Sequence, residues 1–61
     1  MTLPKAIEIG DLNIKEAGKK MPPDTLDALK LLVEAGKQIH NHRASLPPQA
    51  IYLLPGETAE D

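Results

Sequence analysis

The segment from Pro23 to Arg43 reads as one helix whose apolar arc is too wide for a single small chain to cover. At about 100° per residue, Ala28, Leu29, Leu32, Ala35, Gly36 and Ile39 fall on one continuous stripe. Leu26 and Val33 widen it on one side, and Leu31 widens it on the other. A surface helix needs a stripe of roughly 100° or slightly more, whereas this arc passes well beyond half of the circumference. One neighbouring helix cannot cover it. In 61 residues the second cover is expected to be another copy of the chain, which assigns Leu26, Leu29, Val33 and Gly36 to an oligomer interface.

Length points the same way. A chain near 60 residues buries only about 60% of the surface that it exposes when unfolded, so its core is marginal. No Cys is present, which removes disulfides and Cys-ligated zinc as sources of extra stability. Self-association is the remaining one. The only aromatic residue is Tyr52, so the core is aliphatic and suits helix-on-helix packing. A net charge of −2 and a pI near 5.6 argue against broad binding to nucleic-acid backbones, which asks for a basic face. No apolar run approaches the roughly 20 residues of a membrane-spanning helix, and the first residues lack a signal-peptide pattern. These features predict a cytoplasmic protein without a membrane partner, and the missing Cys fits a reducing compartment.

Along the chain, a first helix is predicted from about Leu3 or Pro4 to Gly18, with Thr2 as N-cap and Pro4 tolerated in the first turn. Leu3, Ala6, Ile7, Gly10, Ile14 and Ala17 share one face, with Glu8, Asp11 and Lys15 opposite. Ile9 and Leu12 form a smaller second strip and are assigned to the oligomer interface. Gly10 in mid-helix costs about 1 kcal/mol relative to Ala; either it admits a close partner or it is simply tolerated. Lys19, Lys20, Met21, Pro22 and Pro23 make a short connector, and short connectors give antiparallel neighbours. Asp24 and Asp27 open the second helix, while Lys37, His40, His42 and Arg43 gather at its far end, both favourable to the helix dipole. Leu46-Pro47-Pro48 repeats the Pro-start of Met21-Pro22-Pro23, so Leu46 to Leu54 forms a short third helix or an extended arm, ended by Pro55-Gly56. The expected fold is all-α: an antiparallel, homo-oligomeric helical hairpin, with one domain over 1–56 and a flexible acidic tail over 57–61.

His40-Asn41-His42-Arg43 is the candidate site. On a helix His40 and His42 point about 200° apart, and no HExxH or Cys pair accompanies them, so no metal or other cofactor is expected. Capping of the helix C-terminus explains these residues without a ligand. The functional alternative uses symmetry: paired copies of Arg43, His40, His42 and Lys37 would clamp an anion such as phosphate, and Tyr52 could stack on a nucleobase. Lys19 and Lys20 beside the second helix are a weaker anion site because Asp24 and Asp27 share that end. Catalysis is not expected. There is no Cys nucleophile, Ser45 lacks a glycine-rich elbow, and no phosphate-binding loop is present.

Three stretches carry a resemblance: Thr2-Leu3-Pro4-Lys5-Ala6-Ile7-Glu8-Ile9; Met21-Pro22-Pro23-Asp24-Thr25-Leu26-Asp27-Ala28-Leu29-Lys30-Leu31 with Glu34-Ala35; and Leu53-Leu54-Pro55-Gly56-Glu57-Thr58. Together they resemble small accessory proteins of phages and prophages. Lys5 stands where that family often has an acidic residue, and the His40 to Arg43 segment is not part of the shared pattern. The resemblance implies a phage accessory protein acting in the host cytosol, a class that includes factors evading host defence. On that basis the expected function is non-enzymatic sequestration of an anionic nucleotide signal between subunits. The alternative is an inhibitor-like or antitoxin-like hairpin that docks on a host or phage protein. DNA binding through a helix-turn-helix ranks third, because a basic recognition face is missing.

Overall fold

The computed structural model describes residues 1–60; Asp61, the last residue of the tail assigned to 57–61, lies outside the described residues. Two long helices carry the chain, α1 over Leu3–Ala17 and α2 over Pro23–Arg43. Thr2 caps α1, its side chain accepting from the Lys5 N–H at 3.3 Å, which satisfies one of the free donors at a helix start. A single 3-10 turn, Gly18–Lys20, tightens the end of α1. Pro22 and Pro23 then start α2, with Asp24 in its first turn and His40, His42 and Arg43 in its last, as the dipole favours. Among the described residues there is no strand, and no helix is long and apolar enough to cross a membrane.

The hairpin closes on glycines. A Cβ added at Gly10 would lie 2.6 Å from Val33 Cγ2, so here the mid-helix glycine is what lets α2 approach. Gly36 plays the reciprocal part on α2, where a Cβ would meet Ile7 Cγ1 at 3.2 Å. Leu3 and Val33 are the buried hydrophobic side chains, with Leu26 against Gly18 at the closed end. On one side of this seam Lys37 bridges the helices, 3.5 Å from Asp11 and 3.5 Å from Glu34.

This packing divides the α2 residues assigned to the interface. Val33 and Gly36 are buried against α1, Leu26 packs on Gly18, and Leu29 lies half-buried in the groove with Gly10 and Leu32. Val33 and Gly36 are thus taken up by the hairpin itself, whereas Leu26 and Leu29 are half-buried and Leu29 also borders the outer hollow with Ala28 and Leu32. Ile9 and Leu12 are exposed. The wide arc of α2 thus divides into two stripes. Leu26, Val33 and Gly36 turn to α1, Leu29 lies on the boundary, and Ala28, Leu32, Ala35 and Ile39 stay outside.

After Ala44 the chain makes one 3-10 turn, Pro48–Ala50, leaves it through an extended Ile51, and runs on without helix or strand to Leu54. The Leu46 to Leu54 segment is therefore an arm and not a third α-helix. At Leu54–Glu57 the arm reverses in a turn closed by the Glu57 N–H donating to the Leu54 carbonyl at 2.9 Å. Pro55 sets the first central position of this turn and Gly56, at φ 85°, takes the left-handed second. The chain ends then meet. The Thr58 N–H donates to the Met1 carbonyl and the Met1 ammonium donates to Thr58 Oγ1, both at 2.9 Å.

Candidate functional site

The His40 to Arg43 segment sits where the last turn of α2, the arm and the start of α1 converge. Arg43 leaves α2 toward the arm, and its guanidinium forks onto Glu57, with Nη1 to Oε2 at 2.7 Å and Nη2 to Oε1 at 3.0 Å. Nη2 also donates to the Tyr52 carbonyl at 2.9 Å. Glu57 Oε1 accepts from the Leu54 N–H at 2.8 Å, and the Glu57 carboxylate accepts from the Leu3 backbone N–H at the start of α1. The two side chains are 15% and 9% exposed. Arg43 first, then the Leu54 N–H, hold the Glu57 carboxyl at about 2, well below its ordinary value. The same hydrogen bonds from Arg43 to Glu57 raise the guanidinium further above its already high value. One carboxylate thereby ties together both helices and the arm. We refer to this arrangement as the latch.

The latch changes what the anticipated anion-binding residues can do. A fork spent on a carboxylate is not available to a phosphate, since bidentate recognition uses the same N–H groups. Lys37 is likewise occupied: Asp11 first, then Glu34, raise its pKa, and it bridges the helices on another face. His42, Arg43 and Tyr52 line a common open hollow of about 450 Å³ with Ile39, Leu46 and Ile51, whereas His40 and Lys37 do not border it. The structure therefore gathers three of the five residues and neutralises the charge of the strongest. His40 and His42 are both exposed. Among the described residues no group of three or more His, Asp or Glu side chains is placed to share a metal ion.

Glu57 was hidden by its neighbours in sequence. Glu57, Glu60 and Asp61 read together as an acidic tail, and solvated tails are the ordinary outcome for such strings. Glu57 and Thr58 are instead hydrogen-bonded to the body of the protein. The available signal was the preceding Pro55-Gly56 turn, which reverses the chain immediately before a carboxylate.

The second surface is apolar. Leu32 is 67% exposed and Leu31 71%, with Ala28 and Ala35 open beside them and Ile39 at the border of the arm. The face continues across the seam, because Leu32 shares a groove with Ala6 and Gly10 of α1. On the arm Tyr52 is 81% exposed and Leu53 follows it outward. No family model, curated protein or solved structure matches the chain.

Proposed function

We propose that this chain is a non-enzymatic interaction module, an accessory protein of the phage type that works by binding protein surfaces. One observation carries the reading: several of the largest apolar side chains lie outside. Leu3 and Val33 are buried, while Leu31, Leu32, Tyr52 and Leu53 are each more than half exposed. Exposed apolar patches, here the Leu31–Leu32 pair on α2 and the Tyr52–Leu53 pair on the arm, mark interaction sites. The resemblance of the Pro-started helices and the Leu53 to Thr58 ending to phage accessory proteins supports the setting.

The arm supplies the partner-binding element. Its backbone is fixed at Tyr52 by Arg43 and at Leu54 by Glu57, so docking Tyr52 and Leu53 costs little further ordering. Nucleotide capture has weaker support, because the Arg43 fork and the Lys37 ammonium already hold carboxylates.

A photo-reactive residue placed at Leu53 and activated in bacterial cells should cross-link to a defined protein and lose that adduct when unlabelled chain competes. Native mass spectrometry of the purified protein should show the bare polypeptide. A stoichiometric nucleotide retained in that spectrum, with no protein adduct at position 53, would overturn the proposal.

A further inference from the structure

Two antiparallel helices form one layer, and stable domains are built from at least two. The whole chain, arm included, measures 41 × 20 × 17 Å. Its accessible surface is 4816 Å², whereas a compact folded monomer of 6.6 kDa exposes about 3,900 Å². The excess, about 900 Å², is close to one partner's share of a standard protein interface, roughly 800 Å². On the stripe itself Leu32 is 67% exposed, and Ala28, Ala35 and Ile39 are exposed beside it.

We propose that a second copy of this chain packs on the Ala28–Leu32–Ala35–Ile39 stripe, α2 antiparallel to α2, giving a symmetric four-helix dimer. The assignment rests on the interaction-module reading and names one of its partners. The stripe advances by four, three and four residues, the spacing of a knobs-into-holes seam.

Side-chain size fixes the direction. With the two-fold axis midway between Leu32 and Ala35, Leu32 of one copy meets Ala35 of the other, and Ala28 meets Ile39, so every large side chain faces a small one. A parallel pair would set Leu32 on Leu32 and leave a gap at Ala35. Charge agrees as well. Asp24 and His42 lie on the same border of the stripe at opposite ends of α2, so antiparallel packing sets the N-terminus of each helix beside the C-terminus of its mate, the favourable dipole arrangement, with the Asp24 carboxylate of one copy next to the His42 ring of the other. Lys37, Asp11 and Glu34 are bound up with one another across the seam and not on this face.

Sedimentation of the purified full-length protein, with no partner added, tests the proposal. Wild type should sediment as a dimer at about 100 µM, and Leu32→Asp should weaken the dimer at least about a hundredfold, since each dimer buries two such leucines. Leu32 is exposed within the hairpin, so the helical circular dichroism of L32D should not change.

Direction is read by cysteine trapping, which is clean because the chain has no Cys. In the antiparallel dimer two copies of position 28 stand about 16 Å apart along the axis, too far for a disulfide. Ala28→Cys or Ile39→Cys alone should therefore give no cross-link, whereas a mixture of the two variants should give the covalent heterodimer. A monomeric wild type, a dimer indifferent to L32D, or cross-linking of A28C with itself each overturns the proposal. None of these outcomes bears on the adduct at Leu53, so failure of the dimer leaves the partner-docking reading standing, and the reverse also holds.

Discussion

The most quantitative consequence of the hairpin lies at Gly10. Exchanging a mid-helix glycine for alanine ordinarily stabilises by about 1 kcal/mol, because alanine loses less backbone freedom on folding. At Gly10 the new Cβ would stand 2.6 Å from Val33 Cγ2, about 0.9–1.4 Å inside the roughly 3.5–4.0 Å at which carbon atoms rest. Val33 has little room to yield, since a β-branched side chain in a helix is held near one χ1 rotamer. Overpacking of this size costs about 1–3 kcal/mol. The net effect of Gly10→Ala is then a loss of about 1 kcal/mol, which lowers the melting temperature by roughly 4–8 °C in a domain of this size.

The sign should reverse when the clashing atom is removed. In a Val33→Ala background Cγ2 is absent, and Gly10→Ala should recover most of the 1 kcal/mol of helix propensity. Thermal and urea melts of the four proteins in this cycle, followed by circular dichroism at 222 nm, give the coupling between the two sites. A stabilising Gly10→Ala in the wild-type background, or additive effects across the cycle, would refute the close approach of the helices at this point.

The remaining predictions concern the arm. Gly56→Ala should destabilise the Leu54–Glu57 turn by about 1–2 kcal/mol, the cost of a left-handed Cβ-bearing residue, because Gly56 sits at φ 85°; faster amide exchange at Glu57 and Thr58 with α1 and α2 unaltered is the expected readout. Glu57 ionises at about 2 in the folded chain against 4.5 ordinarily. The folded state thus binds this proton less readily, so the contribution of the latch is complete above about pH 4.5 and is lost as pH falls toward 2. A titration of the Leu54 amide resonance should have its midpoint near 2, and a midpoint near 4.5 would show that the latch does not form. Arg43→Lys keeps the charge but removes the fork, and it should release the Tyr52 carbonyl and loosen the arm, with faster amide exchange from Leu54 to Thr58 and an unchanged helical spectrum.

Local structure was largely legible in the sequence. Thr2 as cap, Pro22 and Pro23 as the break between helices, Asp24 at one end of α2 and Arg43 at the other follow from capping and dipole rules that act within one helical turn. Pro55-Gly56 as a stop has the same local origin, because the φ demanded there is a property of two residues. The candidate site was legible only as a place. His42, Arg43 and Tyr52 do come together around one hollow, but the partner of Arg43 is Glu57, fourteen residues away, and no periodicity links them.

By itself the sequence determined that α2 carries more apolar surface than a single neighbour can cover, since the 3.6-residue period alone assigns side chains to faces. Only the tertiary structure decided how that arc is shared. Gly10 and Gly36 admit α1 onto the Val33 side, because contact follows from where a backbone can approach, and Ala28, Leu32, Ala35 and Ile39 are left outside. The destination of Glu57 was decided in the same way. An arm that turns at Gly56 carries its carboxylate back to Arg43 and to the free N–H of Leu3, and a charge paired across such a distance depends on the path of the chain and not on its composition.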